Sequence, residues 1–407
     1  MLLVNLVLST SLASEPEEPV AIPELIVTAS RASGTTGPMP VSGATLDYDD
    51  IADGRPTIEL GEALSQVPGV FVSNRTNFAQ DSRIAIRGFG ARAAFGVRGI
   101  RVLLDGIPLT LPDGKSQIDS IDMANLGRLE VLRGPSGSAY GNASGGVLTL
   151  TTRRAEGEGI EVDADTTLGS FGLWKTTAAV RSSTEQTDVS LFASRTQLAG
   201  WREQSGTEQV VAQAHVATWL APALRWTTNV HFVDAPVADD PGGLTPEDAE
   251  NDPRAASEVN RTSGTGEALS HLQAGTRLVG TIGSDHQIEV VAHAGLRAFD
   301  AAIPFRTIQF DRDFYGGLAT WRWSTRPAPV QSQLVVGVEA QGQDDDRRNE
   351  GNDAGRPDGT ISLSQQERAT SLGAFVQERL SFDERAVLLG AVRYDRVAFR
   401  LEDRLLE

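Results

Sequence analysis

The chain has no cysteine, which excludes disulfide scaffolds, thiolate metal sites and cysteine nucleophiles together. That absence permits an oxidising compartment without demonstrating one. Lysine is almost missing as well. Lys115 and Lys175 are the only two, so the positive charge is nearly all arginine, a bias that reads as genome composition. Basic charge is in deficit overall: Lys and Arg number 36 against 54 Asp and Glu, giving −18. Phosphate binding needs a basic surface, so no nucleic-acid partner is expected. No internal stretch reaches the ~18 apolar residues that a membrane-spanning helix needs.

What is present is the composition of a folded protein, with 40% hydrophobic and 22% charged residues. At about 150 residues per domain, 407 residues imply two or three domains. Forty-one glycines and 19 prolines favour turns and strands over long helices. Residues 1–14, MLLVNLVLSTSLAS, end in small residues as a signal-peptide cleavage region does, yet no Lys or Arg precedes Arg31. A signal peptide that has lost its first residues and an ordinary hydrophobic start both fit. Residues 15–43, rich in Pro, Glu, Thr and Gly, read as a flexible extension.

Residues 44–154 read as a small mixed α/β unit. In GEALSQVPGV, Leu60, Leu64 and Val67 fall at helical spacing with Pro68-Gly69 as the stop. The short strands RIAIRG, IRVLLDG, LGRLEVLRG and GGVLTLTTRR follow it. Over residues 155–407 the helical signal disappears and two-residue alternation takes over. In HQIEVVAHAGLRAF, Ile288, Val290, Ala292, Ala294 and Leu296 share one parity, and Gln287, Glu289, His293 and Arg297 the other. About eleven such segments lie between Gly159 and Arg400. Short links such as APA and GSD alternate with long polar ones, notably Ala235–Glu267 and Asp344–Glu367. Strands of about ten residues with long loops on one side and tight turns on the other predict an outer-membrane β-barrel. A soluble propeller is the alternative, but its repeat of about 40–50 residues is not found.

Familiar catalytic patterns fail on inspection. Gly88, Gly90 and Ala93 form a relaxed dinucleotide fingerprint, but Gly96 and Gly99 break the helix it needs. Gly114-Lys115-Ser116 ends like a P-loop, but Leu109 stands where the first glycine belongs. In RGPSGSAYG, Ser138 replaces the second glycine of a nucleophile elbow. The five histidines make no i, i+4 helical pair. No catalysis, resident cofactor or metal is expected. The acidic stretches DAPVADDPGGLTPEDAENDPR and QDDDRRNEGNDAGRPDG could hold a hard cation, but they lack regular ligand spacing and read as solvated loops.

RIAIRGFGARAAFGVRGIRVLLDGIPLTLPDG followed by LGRLEVLRGPSGSAYGNASGGVLTLTTR strongly resembles the plug domain of TonB-dependent outer-membrane receptors. The matching positions are Arg87-Gly88, Asp105-Gly106, Arg133-Gly134-Pro135, Tyr140-Gly141 and Gly145-Gly146. This resemblance implies a mixed α/β plug followed by antiparallel transmembrane barrel strands. It implies a site in the outer membrane in contact with its lipid, a monomer, and active uptake of a scarce large nutrient as function. PELIVTAS sits where the family carries its energy-coupling box, so Glu24, Leu25, Ile26, Val27 and Thr28 are the segment implied to bind TonB. Physically it is a β-prone stretch on a flexible leader, suited to add to a partner's sheet edge. RGFGARAAFGVRGIRVLLDGIP and LPDG look most like the branch that takes up pyrroloquinoline quinone, whereas ferric siderophores are the family's commonest ligands.

The family closes about 22 strands around its plug, and about eleven are readable here. A barrel of 22 strands is roughly 44 Å across and one of eleven roughly 22 Å. A plug of this length is about 36 Å in diameter, so it fits only the larger barrel. The expectation is a fragment or truncated product, with a non-transporting plug protein (a signal receptor or pseudogene remnant) as the rival reading. Finally, the resemblance implies that Arg87 and Arg133 face glutamates of the inner wall. Alternation places Glu339 on the inward parity with Gln341, opposite Leu334, Val336 and Val338, and makes it their candidate partner.

Overall fold

The computed structural model describes residues 42–73, 77–134, 137–325, 330–382 and 386–405. The first unit is built on a five-stranded sheet. In chain order the strands of this unit are β1 (Ser42–Asp47), β2 (Val70–Ser73), β3 (Arg83–Ile86), β4 (Val97–Arg98), β5 (Ile100–Leu104), β6 (Ile107–Pro108), β7 (Lys115–Ser116), β8 (Leu126–Arg133) and β9 (Gly146–Thr152). The sheet runs β1-β8-β9-β5-β6, with β5 and β9 parallel and the other pairs antiparallel. Helices α1 (Tyr48–Ala52) and α2 (Gly61–Leu64) pack against it, and α3 (Gly137–Tyr140) precedes β9. Ile51, Leu64, Ile84, Ile86, Val102, Leu129 and Leu148 form one dry core. Glu62 starts α2, its carboxylate accepting from the N–H groups of Thr57, Ile58 and Glu59 at 2.8–3.0 Å. The helix is shorter than the spacing of Leu60, Leu64 and Val67 predicts, because the Gln66 and Val67 N–H groups bond three residues back, to Ala63 and Leu64, and tighten the last turn before the chain passes Pro68 into Gly69 with φ +81°.

The second unit is a single antiparallel sheet of eleven strands in sequential order. They are β10 (Gly159–Leu168), β11 (Trp174–Ser183), β12 (Thr187–Leu198), β13 (Thr207–Ala221), β14 (Leu224–Asp239), β15 (Gly266–Ile282), β16 (His286–Ile303), β17 (Arg306–Ser324), β18 (Val330–Asp353), β19 (Arg356–Phe382) and β20 (Ala386–Asp403). Burial along them is reversed relative to a soluble protein. On β16 the apolar residues Val290 and Leu296 are 44% and 57% exposed, while His293 and Arg297 are buried. The sheet thus presents hydrocarbon outward and polar groups toward the plug, as a lipid-embedded wall requires. No helix among the described residues is long and apolar enough to cross a membrane.

Two expectations are corrected. Asp344–Glu367 is not a loop. The strands β18 and β19 continue through it and turn only at residues 354–355. Neither face of this hairpin is apolar, the buried positions being Asp345, Asn349 and Glu350, so no apolar alternation marks it; cross-strand ion pairs such as Arg368–Asp344 at 2.6 Å and Arg347–Glu367 at 3.4 Å hold it instead. Helix also returns beyond Arg154, as α4 (Pro246–Asn251) and α5 (Glu258–Ser263) inside the β14–β15 connection. Thr245 caps α4 by accepting from the Asp248 N–H with Pro246 in the first turn, and Gly264 closes α5 at φ +56°.

Candidate functional site at the plug–wall interface

The plug meets the wall mainly through residues 101–125, which run from β5 to the residue before β8. This segment carries Asp113, Asp119 and Asp122, and the inner face of the wall supplies cations to all three. Lys175 of β11 is buried and donates to the Asp122 carboxylate at 2.8 Å and to the Thr57 carbonyl at 2.7 Å. Ser194 of β12 donates to the other Asp122 oxygen at 2.5 Å. Arg297 of β16 donates to Asp119 at 2.7 Å. Arg312 of β17, bound through two nitrogens to Asp345, lies 3.9 Å from Asp113.

Neutral amides fill the spaces between these charges. Asn125 donates to Gln213 at 2.7 Å and accepts from Arg181 at 3.1 Å. Gln213, Gln273 and Gln341 donate to the plug carbonyls of Ser120, Pro108 and Thr110 at 2.7, 2.9 and 3.3 Å. Burial alone would push the Asp119 carboxyl up, but Arg297 outweighs it and holds the group below the usual carboxylate range. Asp105 behaves alike: burial opposes its ionisation, and Arg154 at 2.9 Å, with the Thr152 N–H and hydroxyl, lowers it.

One lock has the opposite polarity. Arg101 of β5 is buried and bonds Glu339 of β18, whose other oxygen accepts from Arg393 of β20 at 2.9 Å. Arg393 also binds Asp395 at 2.7 Å and reaches the Ala139 carbonyl of α3 at 3.5 Å. Charges of this kind are stranded when one partner is removed, at a cost of about 3–5 kcal/mol.

The expected Arg87 and Arg133 pairs with Glu339 are not formed. Arg133 donates to the backbone carbonyls of Pro68 at 2.6 Å and Gly43 at 2.9 Å. Arg87, exposed, reaches the Ser42 hydroxyl at 3.2 Å. The reason is register: Arg133 pairs with Ser42 at the β1 edge, so its side chain lies over the start of the plug and away from the wall. Both arginines staple the plug to itself. The neighbouring glycines are conformational. A Cβ on Gly146, at φ +139°, would sit 2.0 Å from the Leu132 carbonyl oxygen. Asp105-Gly106 turns the chain at φ +50° and +82° between β5 and β6, and Gly88, Gly134 and Gly141 also take positive φ. Tyr140 is buried beside Leu132 and Val147, and Gly145 packs against Phe89 and Ile100. Pro135 and Glu24–Thr28 lie outside the described residues.

Asp119, Asp122, Asn125, Lys175, Gln213 and Arg297 were not singled out by the sequence. Its faint signal was the lysine scarcity: both lysines sit in ion pairs with plug aspartates, Lys175 with Asp122 and Lys115 with Asp81 at 2.6 Å. On the long-loop side, Asp240 at the β14 end accepts from Asn77 at 2.9 Å and Gln80 at 3.2 Å of the plug. Arg202 and Gln204 hold the same connection in place through the carbonyls of Gly242, Ala255, Asp240 and Thr265.

The sequence profile of the TonB-dependent receptor plug domain matches residues 37–147. The ferric aerobactin receptor of Klebsiella pneumoniae is 31% identical over 176 residues, 41% of this chain and 22% of that protein. In fold, the chain is similar to the unliganded ferric citrate transporter FecA, with a TM-score of 0.76 at 18% identity, covering 90% of this chain and 58% of that one. P. aeruginosa FpvA, solved bound to pyoverdines, gives 0.70 at 15% identity, with 91% and 53% covered. The chain therefore spans little more than half the length of these solved receptors. Plug motifs, plug profile, reversed wall and shared fold agree: residues 37–147 are a TonB-dependent receptor plug domain, and the eleven strands that follow are similar in fold to part of the barrel wall of the solved receptors.

Proposed function

We propose that this receptor takes up a scarce metal chelate of the ferric siderophore class, with energy supplied through TonB. The observation that carries the reading is the plug–wall interface: a folded plug held against the inner wall by separable polar contacts, touched at its top by a long-loop connection through Asp240. A plug built to stay fixed would bury apolar surface there; this one is held so that it can be moved. Relatives named for ferric aerobactin and ferric citrate support a chelate as cargo. None of the relatives named above concerns pyrroloquinoline quinone, and that ligand is not carried further.

Coupling is assigned to Glu24–Thr28. The test uses cells lacking other ferric receptors and producing this receptor with or without those five residues. Radiolabelled ferric aerobactin and ferric citrate serve as probes. The expected outcome is surface binding retained and energised accumulation lost in the deletion. Loss of binding with the fold intact would count against the coupling role, and no energised uptake of either chelate by the undeleted receptor would count against the ligand class.

A further inference from the structure

A cavity of about 460 Å³ lies between the plug and the wall, a volume within the range of small-molecule sites. Its plug side is made by the β5 end and β9, its wall side by β13 to β18. Position gives it meaning. Arg225 stands one residue inside β14 after the short turn at residues 222–223, and Arg322 two residues before the end of β17. Both mark the short-turn end of the wall, across the plug from the Asp240–Asn77 contact. A solute that passes the plug from the long-loop side arrives here.

The lining carries four arginines, Arg154, Arg225, Arg277 and Arg322, and three carboxylates, Asp105, Glu289 and Glu339. Glu339 is already held between Arg101 and Arg393. Asp105 and Glu289 each hold one lining arginine, Arg154 at 2.9 Å and Arg277 at 2.6 Å. Arg225 finds its carboxylate outside the lining, on Asp188 at 2.8 Å, and Arg322 donates to the amide oxygen of Gln287 at 2.6 Å while Glu289 also acts on it electrostatically. A chain of net charge −18 has thus gathered an arginine excess in one partly enclosed space. Guanidinium forks donate paired N–H bonds to carboxylates, and a low-dielectric pocket strengthens each such contact.

We propose that this cavity is an exit-side subsite for an anionic, carboxylate-bearing chelate, which it holds after passage and before release. The proposal rests on the transport reading above and adds the charge class of the cargo. Because the chain has no cysteine, one introduced thiol reports on the cavity alone. Thr320 lines it on the inward face of β17. Purified Thr320→Cys receptor in detergent is treated with the anionic reagent sulfonatoethyl methanethiosulfonate or its cationic trimethylammonioethyl counterpart, with and without citrate.

The anionic reagent is expected to react about tenfold faster than the cationic one, an enhancement at the lower end of electrostatic focusing. Citrate should slow both. Adding Arg277→Gln with Arg322→Gln leaves two arginines against three carboxylates and should bring the ratio to one or below, and Arg277→Lys with Arg322→Lys should keep it; the lysine pair separates loss of charge from loss of fold. A cationic reagent that reacts as fast or faster, no effect of citrate, or a thiol neither reagent reaches would each overturn the subsite. Uptake by cells is scored separately. Charge preference without uptake sinks the transport reading alone, and uptake without charge preference sinks the subsite alone.

Discussion

The plug and the wall are made from similar residues and sorted in opposite ways. In the plug, Val102, Leu129 and Leu148 are sealed from solvent, and the buried charges Arg101 and Glu130 are paired, with Glu339 and Arg128. In the wall, Val290, Val338 and Val392 face outward while Lys175, Arg297 and Glu339 are buried. The same two-residue alternation underlies both. What differs is the medium beyond the outer face, water for one and hydrocarbon for the other. Alternation therefore identifies a strand but not which of its faces is the inside.

The contrast can be broken most severely at the buried locks. Lys175→Ala leaves Asp122 charged and enclosed, with an expected loss of about 3–5 kcal/mol. It should show as faster proteolysis of the plug in an otherwise folded receptor, and unchanged proteolysis would remove Lys175 from the anchor. Next comes the outer face. Val290→Arg should cost about 2–4 kcal/mol for a mid-bilayer position, read from urea unfolding in lipid vesicles. A neutral result in vesicles would mean that this face does not meet lipid.

Arg133→Ala should cost less, about 1 kcal/mol, because it removes bonds to partly accessible carbonyls of the plug itself. It should lower the plug's own resistance to denaturant and leave the contact with the wall, and hence solute leakage, as it was. Increased leakage of large solutes with an unaltered plug would restore a locking role for this residue.

The smallest effect expected is that of pH. The folded-state titration of Asp119 lies below its ordinary value of 3.8, so its contribution is complete above that value and is lost as pH falls through the lower, folded one. Plug retention should be flat from neutral pH to about 5 and weaken below about 4. Asp119→Asn should remove that part of the acid sensitivity, and a decline beginning near neutrality would point to another group.

Much of this architecture was legible. The plug motifs carry backbone requirements that only glycine meets, as at Gly146, and the wall strands carry a period that survives any solvent. The extended β18–β19 hairpin was hidden because its exposed residues, such as Asp346 and Arg348, and its buried ones, such as Asp345 and Asn349, are alike polar, which leaves no apolar side to read. The locks were hidden for a different reason. Inward parity could be read for Glu339 and Gln341, but which plug group each meets depends on how β5 and the segment after it dock, and that is a property of the assembled pair. Arg133 shows the same limit, its direction being set by the register of β8 on β1.

The amide contacts along the anchor segment have a mechanical consequence. Gln213, Gln273 and Gln341 hold the plug carbonyls of Ser120, Pro108 and Thr110 from separate strands, and each contact can be replaced by water at a net cost of about 0.5–1.5 kcal/mol. Under tension such a seam parts serially, one modest barrier after another, instead of shearing all at once. The peak load needed to draw the segment away is then set by its strongest single fastening, the charged pairs at Asp122 or Arg101, and not by the sum of them all.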